Sequence, residues 1–156
     1  MTDRELGLLR RAADYQFGAG AGAALFGDGE DLSVSHTSSG RPRQVTAPDG
    51  RLVTYATDGR FVLGVAGGRR LQAAHESPRH RVVVGSESEP YVREGRNTFA
   101  KFVRAADPDI RPGDEALVVH EDGDLLGVGR AELPGDAMLD FETGMAVKVR
   151  HGIEAE

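Results

Sequence analysis

The chain has 156 residues, a formal net charge of −6 and no cysteine. That length suits one domain or two small ones, and the missing cysteines exclude disulfides and thiolate metal sites; five scattered histidines suggest no structural zinc. No apolar stretch approaches about 18 residues and Met1 is not followed by a basic and then an apolar segment, so neither a membrane span nor a secretory signal is expected.

Lys101 and Lys148 are the only lysines among 19 cationic residues, against 25 carboxylates. Scarce lysine with abundant Asp and Glu suits a halophile-like proteome, though GC-rich coding also favours arginine. Nucleic-acid-binding domains are usually basic overall, so the acidity argues against RNA. A local arginine cluster can nevertheless hold phosphate on an acidic protein.

In chain order, Met1–Ala13 reads as a helix. Thr2 or Asp3 can cap its start, Leu6, Leu8 and Leu9 supply an apolar stripe, and Arg10 and Arg11 suit its C-terminal end. Gly18-Ala-Gly-Ala-Gly22 has neither the preceding strand nor the spacing of a dinucleotide loop and is expected as a flexible turn. His36, Ser38 and Ser39, without an acid at a recognisable spacing, read as a surface loop. From Val45 to Leu71 short apolar runs alternate with Asp49-Gly50 and Asp58-Gly59, the strongest local hairpin signal. This predicts an antiparallel meander closed by Val82-Val-Val84. Ser86-Glu-Ser-Glu-Pro90 then reads as a boundary, giving units over 1–85 and 88–153.

In the second unit, residues 93–97 allow at most one helical turn around Gly95. Phe99–Val103 fits helix or strand on composition. Ala116–Val119 and Asp124–Arg130 form a hairpin about Asp122-Gly123, and Pro134 opens a short helix to about Phe141. Met145–Arg150 alternates, with Met145, Val147 and Val149 on one side and Ala146, Lys148 and Arg150 on the other, a half-buried strand.

Lys148 and Arg150 would then share a face, roughly 7 Å apart by strand rise, and could follow an RNA backbone. They could equally form a solvated face paired to carboxylates. Arg96 and Asn97 sit in the glycine turn, where backbone N–H groups can also approach phosphate. His151 either reaches a phosphate or ribose or caps the last strand. Arg41 and Arg43, around Pro42, either add an RNA contact or solvate a loop.

Several motifs carry a family resemblance. The turn at Gly95, the run Phe99-Ala-Lys-Phe-Val103, Arg111-Pro-Gly-Asp-Glu115, Leu126-Gly-Val-Gly-Arg130 and Gly144-Met-Ala-Val-Lys-Val-Arg-His-Gly152 resemble a PUA domain, the RNA-binding module of pseudouridine synthases and archaeosine transglycosylases. The match is similar to the PUA tail of archaeal tRNA-guanine transglycosylases. Asp14-Tyr-Gln-Phe-Gly18 with Gly40-Arg-Pro-Arg43 resembles the domain before it.

The resemblance implies an α+β protein: a small N-terminal α+β domain with an antiparallel sheet, then a PUA-like pseudo-β-barrel with two short helices. It favours a strand at Phe99–Val103 and an RNA groove at the glycine turn and last strand. The residues expected there are Arg93, Gly95, Arg96, Asn97, Lys101, Lys148, Arg150 and His151, with Arg41 and Arg43 as a secondary contact. The transglycosylase catalytic barrel, with its nucleophilic aspartate and zinc-binding cysteines, has no counterpart. The expectation is therefore a non-catalytic, cytoplasmic RNA-binding protein without cofactor, metal or membrane partner. It would recognise structured RNA, tRNA or rRNA, through backbone and shape. The alternative is an accessory subunit that docks on an RNA-modification enzyme.

Overall fold

The computed structural model describes residues 1–28 and 31–155. The chain divides into two compact units, Met1–His75 and Glu76–Glu156, and each is described by itself.

The first unit opens with helix α1 (Asp3–Phe17), capped by Thr2, whose hydroxyl accepts the Glu5 N–H at 3.1 Å. It runs four residues beyond the expected Ala13, because nothing in Asp14-Tyr-Gln-Phe stops a helix before Gly18 turns to φ 106°. Leu9, Ala13 and Phe17 face the core, whereas Leu8, expected in the apolar stripe, points to solvent. The glycine-rich stretch is a turn only at its start. Ala21–Leu25 is helix α2, and a Cβ on Gly22 would run into the Arg10 backbone, so glycine here permits helix contact.

Four antiparallel strands follow in sheet order: β1 (Ser33–His36), β2 (Pro42–Ala47), β3 (Gly50–Tyr55) and β4 (Phe61–Leu63). The Asp-Gly turns fall where expected. His36, expected with Ser38 and Ser39 in a surface loop, instead ends β1, which lacks an apolar run and as an edge strand has only one partner to satisfy. The alternation stops at Leu63, and Val65–Ala74 is helix α3. Gly67, a weak helix former, lets α3 approach the Leu52 carbonyl where a Cβ would clash. The Gln16 amide takes the Phe61 N–H at 2.6 Å and donates to the Phe61 carbonyl at 2.9 Å, giving edge strand β4 the pairing another strand would supply. Leu25, Phe26, Val45, Leu52, Phe61, Leu63 and Leu71 fill the core, with the Phe26 and Phe61 rings 5.7 Å apart.

The second unit contains β5 (Arg81–Val84), α4 (Glu89–Arg93), β6 (Thr98–Phe99), a 3-10 helix (Ala100–Phe102), β7 (Val103–Ala106), β8 (Glu115–His120), β9 (Leu125–Ala131), a 3-10 helix (Gly135–Asp140) and β10 (Met145–Gly152). These six strands form one sheet ordered β6-β10-β9-β8-β5-β7, antiparallel except for β5–β8. The edge strands β6 and β7 are joined by only the Ala100–Phe102 turn, so the sheet must curl until its edges nearly meet. Val82, Val84, Val103, Val118, Leu126, Met138 and Val147 pack inside this nearly closed barrel.

Two expectations change. Val82–Val84 belongs to this sheet, between β8 and β7, and does not close the first unit's meander. Local composition cannot reveal a partner more than 30 residues along the chain. Phe99–Val103 is neither one helix nor one strand; a 3-10 turn divides it between the two edges. The α+β class and barrel-like second sheet are as expected. Among the described residues no helix is long and apolar enough to cross a membrane.

Candidate nucleic-acid interface

The glycine turn is the end of α4. Pro90 occupies the first turn, where its missing N–H costs nothing. At the other end Gly95 adopts φ 87°, Arg96 N–H donates to the Tyr91 carbonyl and Gly95 N–H to the Val92 carbonyl, both at 2.9 Å. This is the paired bonding of a Schellman cap. The Arg96 N–H, expected with that of Asn97 to approach phosphate, is therefore spent, like that of Gly95, on ending the helix.

Beside that turn lies a cavity of about 310 Å³, lined chiefly by Tyr91, Arg96, Asn97, Thr98, Phe99 and Phe102. Tyr91, Phe99 and Phe102 are 53%, 46% and 37% exposed, high values for large apolar side chains gathered in one place. The Arg96 guanidinium lies 5.7 Å from the centre of the Tyr91 ring and the Lys101 ammonium 5.0 Å from that of Phe102. Thr98 is buried, and its hydroxyl has no hydrogen-bond partner among the described residues. The Asn97 Oδ1 accepts the Val149 N–H at 3.0 Å, tying the turn to β10. At the rim, the Arg104 guanidinium bonds Glu87 at 2.8 Å, holding its carboxyl below the usual range and raising its own basicity. Three aromatic faces interleaved with two cations can stack bases and attract a phosphate backbone.

The expected cations have different situations. Arg93 is anchored, bonding Glu89 at 2.9 Å and the Ile153 carbonyl at 3.1 Å. Arg96 is exposed, with a surface contact to Glu94 at 3.4 Å. On β10, Lys148 is exposed and stands across from Arg130, while Arg150 turns onto the carboxylate of buried Glu115. A register shift between Val149 and His151 interrupts the strict alternation read from sequence, and Ala146 is as buried as Val147. His151 is exposed. In the first unit Arg43 is exposed, whereas Arg41 lies 4.8 Å over the Tyr55 ring and donates to the Ala56 carbonyl.

Sequence reasoning missed Tyr91, Phe99 and Phe102 as candidate site residues. They carried a signal, since rings and cations are interspersed from Tyr91 through Arg96, Phe99 and Lys101 to Phe102. It also paired His36 with no acid, but Glu5, distant in sequence, lies 2.8 Å from its ring.

A hydroxyl, an imidazole and a carboxylate do meet in this unit. His120 Nε2 lies 2.9 Å from Ser86 Oγ, and Nδ1 lies 3.1 Å from Asp122 Oδ1. The Asp122 N–H also donates to Nδ1 at 3.0 Å, an arrangement that requires the neutral ring to carry its proton on Nε2, whereas a proton on Nδ1 would serve the Asp122 carboxylate instead. In the Nε2-protonated tautomer that nitrogen donates to Ser86 and has no lone pair to activate it as a nucleophile.

The PUA domain family matches residues 80–153, and the family described as the patch-forming domain C2 of tRNA-guanine transglycosylase matches residues 8–78. Residues 80–153 are a PUA domain. The chain's two domains resemble those of archaeal tRNA-guanine transglycosylases. The tRNA-guanine(15) transglycosylase of Pyrococcus furiosus is 48% identical over 143 residues, 91% of this chain and 24% of the relative. That of Methanothermobacter thermautotrophicus is 43% identical over 152 residues, 97% and 23% of the two chains. The PUA-domain protein thus spans about a quarter of the length of the curated relatives it matches. Among solved structures, a hypothetical protein of Pyrococcus horikoshii has a TM-score of 0.77 at 21% identity, covering 100% of this chain and 94% of its own. A conserved PUA-domain protein of Thermoplasma acidophilum has a TM-score of 0.68 at 22% identity, covering 100% and 93%. Both share the fold.

Proposed function

We propose that this PUA-domain protein is a non-catalytic, cytoplasmic RNA-binding protein that recognises structured RNA, tRNA or rRNA, in RNA modification or translation. The observation that carries this reading is the cavity beside the α4 cap, where Tyr91, Phe99 and Phe102 stand exposed with Arg96 and Lys101 over their faces. A protein that leaves three large rings in water at one place offers stacking surface, and the interleaved cations select a polyanion that carries bases. Exposed Lys148 on β10 extends the cationic surface, whereas Arg130 across from it bonds Glu132 at 3.0 Å. The relatives' name supports tRNA as the RNA.

The test is a titration of the intact chain with tRNA, comparing wild type with Tyr91→Ala/Phe102→Ala. These side chains are exposed, so the melting temperature should hold while affinity drops by tenfold or more, at roughly 1–3 kcal/mol per stacked base. Equal affinity in the folded double variant would remove the cavity from the site. Capture of an RNA-modification enzyme that survives RNase treatment, with no RNA affinity, would favour a docking subunit.

A further inference from the structure

The outer face of α1 carries a feature that the cavity of the second unit does not use. Arg4, Leu8, Arg11 and Tyr15 are spaced i, i+4, i+7 and i+11, and all four are exposed. At 3.6 residues per turn they fall within roughly 60° of arc, one narrow stripe opposite the packed Leu9–Ala13–Phe17 face. Tyr15 is 95% exposed and Leu8 53%. A tyrosine ordinarily buries its ring and leaves only its hydroxyl wet, so a fully exposed ring on a regular helix is unspent binding surface.

The charges around the stripe are arranged to leave it positive. Arg4 and Arg11 make no hydrogen bond or ion pair with any described residue. The carboxylates on the same helix are mostly occupied elsewhere. Glu5 bonds the His36 ring at 2.8 Å, and Asp14 accepts the Gly22 N–H at 2.7 Å. Arg10, off the stripe, is spent on the Phe26 carbonyl and on Asp28. Asp3 follows the capping residue about 100° round the axis from Arg4. On a chain of net charge −6, two unneutralised guanidiniums on one face are a local exception.

We propose that this stripe is a second RNA contact, in which Arg4 and Arg11 hold phosphates and Tyr15 stacks on an unpaired base, with Leu8 covering the sugar between them. The guanidiniums are about 10 Å apart along the axis, at roughly 1.5 Å per residue, so each takes its own phosphate. An exposed ring one turn beyond a pair of arginines is a combination that binds single-stranded nucleic acid. An acidic protein face would satisfy the arginines but leave Tyr15 without a use. The ligand class rests on the function proposed above, whereas the site is separate from it.

The test uses the intact chain and tRNA as probe. Arg4→Gln/Arg11→Gln should weaken binding several-fold and reduce the slope of log affinity against log salt by about 1.4, at about 0.7 per lost phosphate contact. Tyr15→Ser should lower affinity with the salt slope unchanged. Ultraviolet crosslinking to RNA containing 4-thiouridine should label the Tyr15 peptide. Unchanged affinity and slope with no Tyr15 crosslink overturns this site; if Tyr91→Ala/Phe102→Ala still cuts binding, the first site stands alone. Loss of self-association with RNA binding intact would assign the stripe to a second copy and also overturn the proposal. If the α1 variants lose affinity and the cavity variants do not, this site stands and the cavity reading fails.

Discussion

The last strand and the glycine turn both carry cations, but they treat them in opposite ways. On β10, Arg150 is drawn onto the buried Glu115 carboxylate, and its charge is largely consumed by the fold. At the turn, Lys101 lies over the Phe102 face and Arg96 over that of Tyr91, with a solvent-exposed contact from Arg96 to Glu94 at 3.4 Å, and a ring attracts a cation without cancelling its charge. In an acidic protein, counting arginines therefore misplaces the anion site. What matters is whether a cation is drawn onto a buried carboxylate or stands exposed beside a ring.

The largest expected effect that tests this contrast is the loss of RNA affinity in Tyr91→Ala/Phe102→Ala, tenfold or more. A result in which Lys148→Ala hurts binding more than that pair would reverse the ranking of the two regions. Next comes Glu115→Gln. It removes a charge-assisted bond from a buried position, and bonds of that kind are worth about 1.5–3 kcal/mol. Urea denaturation should show that loss, while RNA affinity should rise modestly as Arg150 is freed. A stable variant with unchanged affinity would mean that Glu115 does not restrain Arg150.

Lys148→Ala should act more gently. Its side chain is exposed, so stability should hold and the salt slope should fall by about 0.7, one phosphate contact. An unchanged slope would place the backbone path elsewhere. The smallest effect belongs to the exposed Glu87–Arg104 pair at the cavity rim. Glu87 has a lowered pKa, chiefly through its hydrogen bond from Arg104. Such a carboxyl contributes stability that is full above its unfolded pKa, about 4.3, and is lost as pH falls through the lower folded value. Arg104→Ala should therefore cost a little melting temperature at pH 7 and nothing in strong acid. A difference that grew on acidification would contradict this assignment.

How much of this was readable depended on the range of the interaction that decides each feature. The Thr2 cap and the Asp-Gly turns at 49–50, 58–59 and 122–123 act within a few residues, and they lie where the sequence placed them. Helix α3 was hidden because Gly67 disfavours a helix locally and is needed for contact with Leu52, on another element. Val82–Val84 looks like any β run, and nothing near it indicates pairing with β7 and β8. At the candidate site, residue types were legible but their pairing was not. Arg150 and Glu115 are 35 residues apart, and so the arginine that looked available is held. Rings interspersed with cations at 91–102 were the better signal, because short-range spacing survives folding.

The turn Ala100–Phe102, which joins the two edge strands, has a dynamic consequence. A curled sheet opens most readily where its rim strands are short, and β6 has only Thr98 and Phe99. The cavity borders this seam on the β6 side, with Thr98 and Phe99 from β6 and Phe102 from the connecting turn among its walls. A molecule seated there would brace β6 against the turn. Amide hydrogen exchange at residues 98–103 should then slow when RNA is added, ahead of the strands at the back of the barrel. Binding there and ordering of the short rim strand would then be one equilibrium viewed from two sides.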